Sequence, residues 1–333
     1  MAAVERLNAL LGSRVALRHR IGERDGRPLF TDAVGELTDG GERDGVATVV
    51  VATRRGPVHV DREAVVAVRA VPPAPPRRPS WSVVGRLESL CADAWPAQVD
   101  RPLGAWRLRA AGEGTGRANA ALAAGDPGMP IPAALDAVRA FAAEHGIPPR
   151  VQAPTGSPWS TAVAGQGWVL DAGHDAGAEV AVLVADLDRW AVADPAGVEL
   201  EGHASDDWWE AALGGPPAPV QRQVLEPGPD GPTTAFGLVR APGPGEPVGA
   251  IRAAVVADHL HLACLAVVPA ARRAGAATAL TAAAARWGRG HGARWAVLQV
   301  ALPNPDALAF YDALGATEHH RYHYLVPPER NQA

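Results

Sequence analysis

The sequence predicts an α/β chain: a mixed α+β sheet in its C-terminal part, preceded by a small all-β barrel. Three observations carry this expectation. Short strand-like segments separated by glycine-rich turns fill residues 14–70. The run Val71-Pro72-Pro73-Ala74-Pro75-Pro76-Arg77-Arg78-Pro79 follows them. Beyond residue 220 the hydrophobic pattern switches between strand and helix in the order β-β-β-α-β-α-β.

Residues 7–11 hold the only convincing helical period of the first segment. Strands are expected at 14–19, 32–37, 46–53, 58–60 and 64–70, divided by turns at 22–26, Gly40-Gly41, Gly45 and Gly56-Pro57. Four or five strands within ~60 residues suit a small barrel of the Src-homology-3 kind. The proline run then reads as a stiff extended linker. The expected division is therefore 1–75 as the barrel, 76–80 as the linker, and 81–215 and 216–330 as two further parts.

In the middle part, Val83, Val84, Leu87, Leu90 and Cys91 mark a helix over 82–94, with Ser80 or Ser82 as its cap. Strands at 104–110 and 117–121 flank the turn Gly112-Glu113-Gly114-Thr115-Gly116. A helix over 131–145 has Pro132 in its first turn and Gly146 just past its end. Strands at 168–171 and 178–184 follow, then a short helix at 206–213 and the Pro/Gly stretch 214–219. The last part offers strands at 233–240, 249–256 and 259–268, with a turn at Ala257-Asp258. An alanine-rich helix then runs to Gly288, with Leu280, Ala284 and Trp287 on one face. A strand at 295–300, a helix at 304–314 stopped by Gly315, and a strand at 317–325 complete the order.

Composition excludes several chemistries. Of 333 residues, 47% are hydrophobic and 20% charged, enough for a buried core. All 31 basic residues are arginine. A chain without lysine has no P-loop and no lysine Schiff base. Cys91 and Cys264 are the only 2 cysteines, too few for a disulfide framework or a four-cysteine zinc site. The start MAAVERLNALLGSR reads as neither signal peptide nor anchor, and no run reaches the ~20 apolar residues of a spanning helix. A soluble cytoplasmic protein is expected. Residues 1–79 carry a net charge of +3 and the remainder −8. The mixed first segment is not the basic stripe that phosphate backbones require.

The last part contains two linked motifs. Val267-Val268-Pro269 leads into Arg272-Arg273-Ala274-Gly275-Ala276-Ala277, directly after a strand. The next helix begins Asn304-Pro305-Asp306-Ala307-Leu308-Ala309-Phe310-Tyr311 and stops at Gly315. On these residues the chain resembles the GNAT superfamily of N-acetyltransferases over about 230–328. The first run matches the superfamily's Gln/Arg-x-x-Gly-x-Gly/Ala pyrophosphate signature, the second its Asn-Pro-x-Ala-x-x-Phe-Tyr-x-x-x-Gly run. The resemblance implies a mixed-sheet GNAT fold, acetyl-CoA as acyl donor, and transfer of acetyl to an amine that attacks the thioester directly. It implies that Arg272, Arg273, Ala274, Gly275, Ala276 and Ala277 hold the pyrophosphate, as a helix N-terminus with close backbone approach can. The backbone of Ala266, Val267 and Val268, on a splayed strand, would pair with the pantetheine arm. Asn304 would lie near that arm, and Tyr311 would protonate the departing thiolate.

His261 stands eleven residues before Arg272, where several GNAT enzymes keep a carboxylate base; His259 is the second candidate. The middle part is similar to the degenerate amino-terminal half of tandem GNAT proteins. The whole chain resembles an actinobacterial acetyltransferase group labelled histone acetyltransferase-like, with one active site, in 216–330.

Plainer readings stand beside these. Asn304-Pro305 also suits a simple helix start. Tyr311 also suits a core position with Ala307 and Leu314, and His261 a half-buried strand histidine. Gly112, Gly114 and Gly116 read as a hairpin turn rather than a phosphate loop. Strand alternation keeps His319, His320 and His323 from converging, so no metal site is expected. Trp208 and Trp209 read as core or interface, with pocket lining as the alternative. The acceptor would be an amine of a small molecule or a protein, with cationic ones favoured by the acidic remainder. Nucleic acid and membrane are not expected as partners, and a homodimer is allowed. The rival to catalysis is a module that senses acyl-CoA and docks a protein through the barrel.

Overall fold

The computed structural model describes residues 3–53, 55–71, 79–112, 115–174, 176–188, 190, 197–241 and 245–328. The proline run 72–78, and with it most of the expected linker, lies outside the described residues. Two compact units are formed, Met1–Arg77 and Arg78–Ala333.

The first unit has a helix α1 (Ala3–Ala9) and five antiparallel strands: β1 (Arg14–Arg24), β2 (Arg27–Arg43), β3 (Val46–Thr53), β4 (Gly56–Asp61) and β5 (Val65–Ala70). They lie in the order β4-β3-β2-β1-β5. β1 and β2 run longer than the sequence suggests. Asp25 and Gly26 both take positive φ, which closes a tight hairpin and lets pairing continue to Arg24 and Arg27. Val15, Leu17, Leu37, Val49 and Val51 alternate into one small core with Leu7.

The second unit opens with α2 (Trp81–Ala94), β6 (Val99–Leu103), β7 (Trp106–Ala110) and β8 (Ala121–Leu122). Next come α3 (Ile131–Glu144), β9 (Val151–Pro154), α4 (Pro158–Gly165), β10 (Val169–Leu170) and β11 (Glu179–Asp186). After β12 (Val198–Glu201), α5 (Asp206–Leu213) and α6 (Pro219–Leu225), the C-terminal series begins with β13 (Thr233–Arg240), β14 (Pro247–Val256) and β15 (His259–Val267). It ends with α7 (Ala276–Gly290), β16 (Trp295–Ala301), α8 (Pro305–Ala313) and β17 (Thr317–Val326).

These strands form one mixed sheet in the order β12-β13-β14-β15-β16-β11-β17-β9-β8-β7-β6, with β10 on β17. β11 is the informative strand. It comes from the middle part of the chain, yet it lies between β16 and β17, pairing Val180 with Ala301 and Tyr322. Its sequence, EVAVLVAD, is buried on both faces for most of its length. Such a strand needs a neighbour on each side and layers above and below. The sheet therefore runs without a break across the 215/216 division drawn from the sequence.

Two local departures have clear causes. The strand expected at 117–121 shrinks to Ala121–Leu122 because the Asn119 side chain is committed to Ala111, Gly112 and Thr115; Glu113 and Gly114 of the turn expected there lie outside the described residues. The Asn119 Oδ1 accepts from Ala111 N–H at 2.7 Å, and its Nδ2 donates to Thr115 C=O at 2.7 Å and to Gly112 C=O. The strict alternation expected for the β17 histidines is broken by a bulge, with Glu318 opposite Leu183 but His320 opposite Val182. His319 and His320 consequently touch, Nδ1 to Nδ1 at 2.8 Å, while His323 Nε2 bonds Ser160 Oγ at 2.8 Å. Among the described residues no group of three or more His, Cys, Asp or Glu is placed to hold a metal ion.

α7 covers β13–β15 with Leu280, Ala284 and Ala285 in the core. Gly288 permits the close approach, since a Cβ there would meet Leu260 Cδ1 at 2.9 Å. Trp208 and Trp209 are core residues, as the plainer reading has it, and Trp208 Nε1 donates to Ile251 C=O at 3.0 Å. Among the described residues no helix is long and apolar enough to cross a membrane.

Candidate active site

β15 and β16 start as parallel neighbours and then part. They pair from His259–Trp295 to Leu262–Leu298, and no further. The cause lies two residues on. Cys264 takes φ +53°, a left-handed conformation unusual for a residue with a side chain. The register of β15 against β14 shifts there, and pairing resumes at Ala266–Ala250 and Val267–Gly249. Beyond the bulge β15 keeps β14 but loses β16, which continues to Ala301 against β11 alone. Among the described residues no strand pairs the edge of 263–267 that would face β16.

The chain then enters α7. Gly275 is its N-cap, at φ +88° and with open space where a Cβ would stand. The first capping bond inside the helix is Ala279 N–H to Gly275 C=O at 2.9 Å. The N–H groups of Ala276, Ala277 and Thr278 thus have no partner within the helix. Arg272, Arg273, Ala274 and Gly275 are exposed. Arg272 Nε donates to Val267 C=O at 3.3 Å, and neither arginine forms an ion pair among the described residues. An unpaired strand edge and an open helix N-terminus therefore stand at the same end of β15.

A cavity of about 240 Å³ opens beside the bulge. Cys264 and Ala301 line it from the parted strands, Tyr322 and Tyr324 from β17, and Leu225 from α6. The middle part supplies Trp95, Arg117, His174 and Val180. The Trp95 indole donates from Nε1 to Thr115 Oγ1 at 3.0 Å and carries two guanidiniums over its ring, Arg117 at 5.1 Å and Arg252 at 5.4 Å. His174 stacks on Tyr324 with ring centroids 4.5 Å apart.

The sequence-derived residues fall in four places. Ala266, Val267, Val268 and the run Arg272–Ala277 come together at the edge and the helix end just described. Asn304 is the N-cap of α8, its Oδ1 accepting from Ala307 N–H at 3.1 Å. Tyr311 is 5% exposed, does not itself line the cavity, and shares an apolar cluster with Leu262 and Leu298, the last paired residues before the strands part. Burial pushes its phenol well above the ordinary range.

His261 does not suit the role of base. It is 1% exposed, does not line the cavity, and sits behind Trp95 with ring centroids 6.5 Å apart. Burial, reinforced by Arg117 and Arg252, pushes its pKa down to about 3, with Gln299 opposing. Such an imidazole is too weak a base to take a proton from an ordinary ammonium group, whose pKa is about 10. His259 lies farther from the bulge, with Nδ1 at 2.8 Å from Asp258. Sequence reasoning missed the residues that do line the cavity. Tyr322 and Tyr324 left one trace, being two of only 3 tyrosines and sharing a strand face.

Residues 82–325 match the family model described as "Probable histone acetyltransferase Rv0428c C-terminal". The chain belongs to that family. It is an acyltransferase, and its fold is the GNAT fold. A GCN5-related N-acetyltransferase from Kribbella flavida superposes with a TM-score of 0.57 at 19% identity, over 75% of this chain and 97% of that one. A tandem GNAT protein from the clavulanic acid biosynthesis pathway gives 0.40 at 17% identity, over 85% and 80%. A GCN5-related N-acetyltransferase from Sphaerobacter thermophilus gives 0.39 at 20% identity, over 53% and 58%. No curated protein matches the chain.

The buried histidine of this acyltransferase has a consequence for stability. His261 stays neutral in the folded protein down to about pH 3, whereas an unfolded histidine takes a proton near pH ~6.5. The unfolded state alone gains that proton as pH falls, so the contribution is complete above ~6.5 and is lost progressively toward the folded pKa. His261→Leu should remove this slope, at most ~1.4 kcal/mol per pH unit, from the acid arm of the stability profile. Urea midpoints of both proteins across that range measure it. An identical slope in the two would mean that the ring titrates freely in the folded state.

Proposed function

We propose that the acyl donor is acetyl-CoA and the acceptor an amine, making the enzyme an N-acetyltransferase in which the amine attacks the thioester directly. One observation carries the reading: the free edge of β15 and the open N-terminus of α7 stand at the same end of that strand, joined by the short turn at Pro269–Ala271. The donor's shape suits that pairing. Its pantetheine arm carries amides that an extended edge can bond as a further strand would. Its pyrophosphate is an anion for the free N–H groups of Ala276, Ala277 and Thr278 and for the positive end of the helix. The void at Gly275 leaves room for close approach, and Arg272 and Arg273 add unpaired positive charge. Acetyl-CoA supplies an acyl group already activated as a thioester.

The chain's own groups divide the remaining work. An N–H on the free edge polarises the acyl carbonyl. Tyr311 holds its proton, because burial disfavours the phenolate, and a proton donor to the departing thiolate must be in that state. Among the described residues lining the cavity there is no carboxylate. Arg117 on the cavity wall, with Arg252 behind Trp95, disfavours an ammonium there, so the amine gives its first proton to solvent before it attacks; the second, lost as the amide forms, balances the one the sulfur takes.

Acetyl-CoA should raise the unfolding temperature of the wild-type protein, as any ligand of the native state does. Gly275→Glu should abolish the rise by filling the void with a carboxylate. A folded Gly275→Glu protein with the full rise would place the donor elsewhere.

Tyr311→Phe removes one hydroxyl from a packed ring. Acetyl-CoA affinity should stay within a few-fold, while kcat and kcat/KM fall together by about 10². Steady-state thiol release beside calorimetric binding reads both. Full activity in Tyr311→Phe would make the residue purely structural.

A further inference from the structure

We propose that the acceptor is a small amine that also carries a carboxylate, and that Arg117 in the cavity holds that carboxylate. The inference rests on the acetyl-transfer reading above and gives it a substrate class. It starts from two guanidiniums that no carboxylate among the described residues compensates. Arg252 is 0% exposed; its Nε donates to Leu225 C=O at 2.7 Å and its Nη1 to Ala94 C=O at 3.1 Å, while its Nη2 is buried without a partner. Arg117 lines the cavity, donates from Nη2 to Gln299 C=O at 3.3 Å and lies beside the Tyr322 hydroxyl. Neither pairs with a carboxylate among the described residues. Arg252 is buried and Arg117 half-buried, and arginines withdrawn from water are ordinarily paired, because an isolated charge in a low-dielectric setting is costly.

Trp95 gathers both charges at one wall, and the cavity it lines contains no Asp or Glu among the described residues. A guanidinium offers five N–H donors in a fork that matches a carboxylate. Arg117 commits only part of its fork to the protein. A carboxylate arriving from solution supplies the missing negative charge. The local potential is thus the reverse of the net −8 carried by residues 80–333, the basis on which a cationic acceptor was expected. Burial and near neighbours outweigh a screened surface field.

The rest of the cavity narrows the class. Trp95, Tyr322, Tyr324, Leu225 and Val180 give it apolar and aromatic walls. Its 240 Å³ is smaller than the roughly 300 Å³ at which drug-sized pockets begin. Cys264 marks the end nearest the free β15 edge, where the amine must meet the acyl group. The fit is an amino acid with an apolar or aromatic side chain, its carboxylate at Arg117.

Two matched pairs test this on the full chain with CoA present: phenylalanine against phenylalaninamide, and leucine against leucinamide. Calorimetry should show at least one acid form binding about tenfold tighter than its amide, the scale of a charge-assisted hydrogen bond. Arg117→Gln should bring that ratio near one, while Arg117→Lys keeps part of it. An unchanged acetyl-CoA thermal shift in both variants certifies their fold. Should Arg117→Gln not fold, the wild-type ratio and Arg117→Lys decide. Amides that bind as well as the acids, no binding of either acid at millimolar concentration, or a ratio that survives in folded Arg117→Gln would each overturn the proposal. Acid selectivity without acetyl-CoA binding or thiol release would leave the carboxylate site standing and remove the acetyl-transfer reading instead.

Discussion

The left-handed backbone at Cys264 is the constraint from which the site follows. A strand that kept its pleat would have carried the β15–β16 ladder to the end of both strands. The bulge turns β15 aside after Leu262, and three consequences come together. A strand edge is freed in the middle of a sheet, where edges are normally paired. The chain leaves β15 at that end and enters α7 after the turn at Pro269–Ala271. The Cys264 side chain itself turns into the cavity. Strained backbone of this kind persists where surrounding structure fixes it. Here β14 does so, pairing on both sides of the bulge.

The middle part is what makes the gap a chamber. β11 pairs the other edge of β16, the one facing away from β15, along its whole length. α2 and the turn before β8 then bring Trp95 and Arg117 to the cavity wall. A buried polar network holds these elements in register. Glu88 on α2 accepts from Gln152 Nε2 at 2.6 Å and meets His320 Nε2 at 2.7 Å, and Arg109 Nη2 donates to Gln152 Oε1 at 2.6 Å. Four elements, α2, β7, β9 and β17, are locked by groups that would each be costly to leave unpaired. The half that lacks a pyrophosphate signature is thus structural for the sheet and chemical for the cavity wall.

How much of this the sequence carried depends on how local each signal is. β13, α5 and the ends of β15 and β17 follow from period and punctuation within a few residues, and they match closely. The Arg272–Ala277 run was legible because a strand–turn–helix motif is contiguous. The strand at β11 was legible, but its place was not, since its neighbours β16 and β17 lie far along the chain and only burial on both faces hinted at them. The cavity was the least legible feature. Trp95, Arg117, Cys264 and Tyr322 come from separate elements, and no spacing rule joins them. His261 shows the same limit from the other side. Its distance from Arg272 is right for a base, but Trp95, Arg117 and Arg252, all remote or on another strand, bury it and weaken it.

Hydrogen–deuterium exchange of the full chain with and without acetyl-CoA tests the central claim most directly. The account predicts new protection in two stretches, the free edge at 263–268 and the helix start at 273–278, with little change in β6–β8. Protection that leaves both stretches untouched while acetyl-CoA is bound would contradict it.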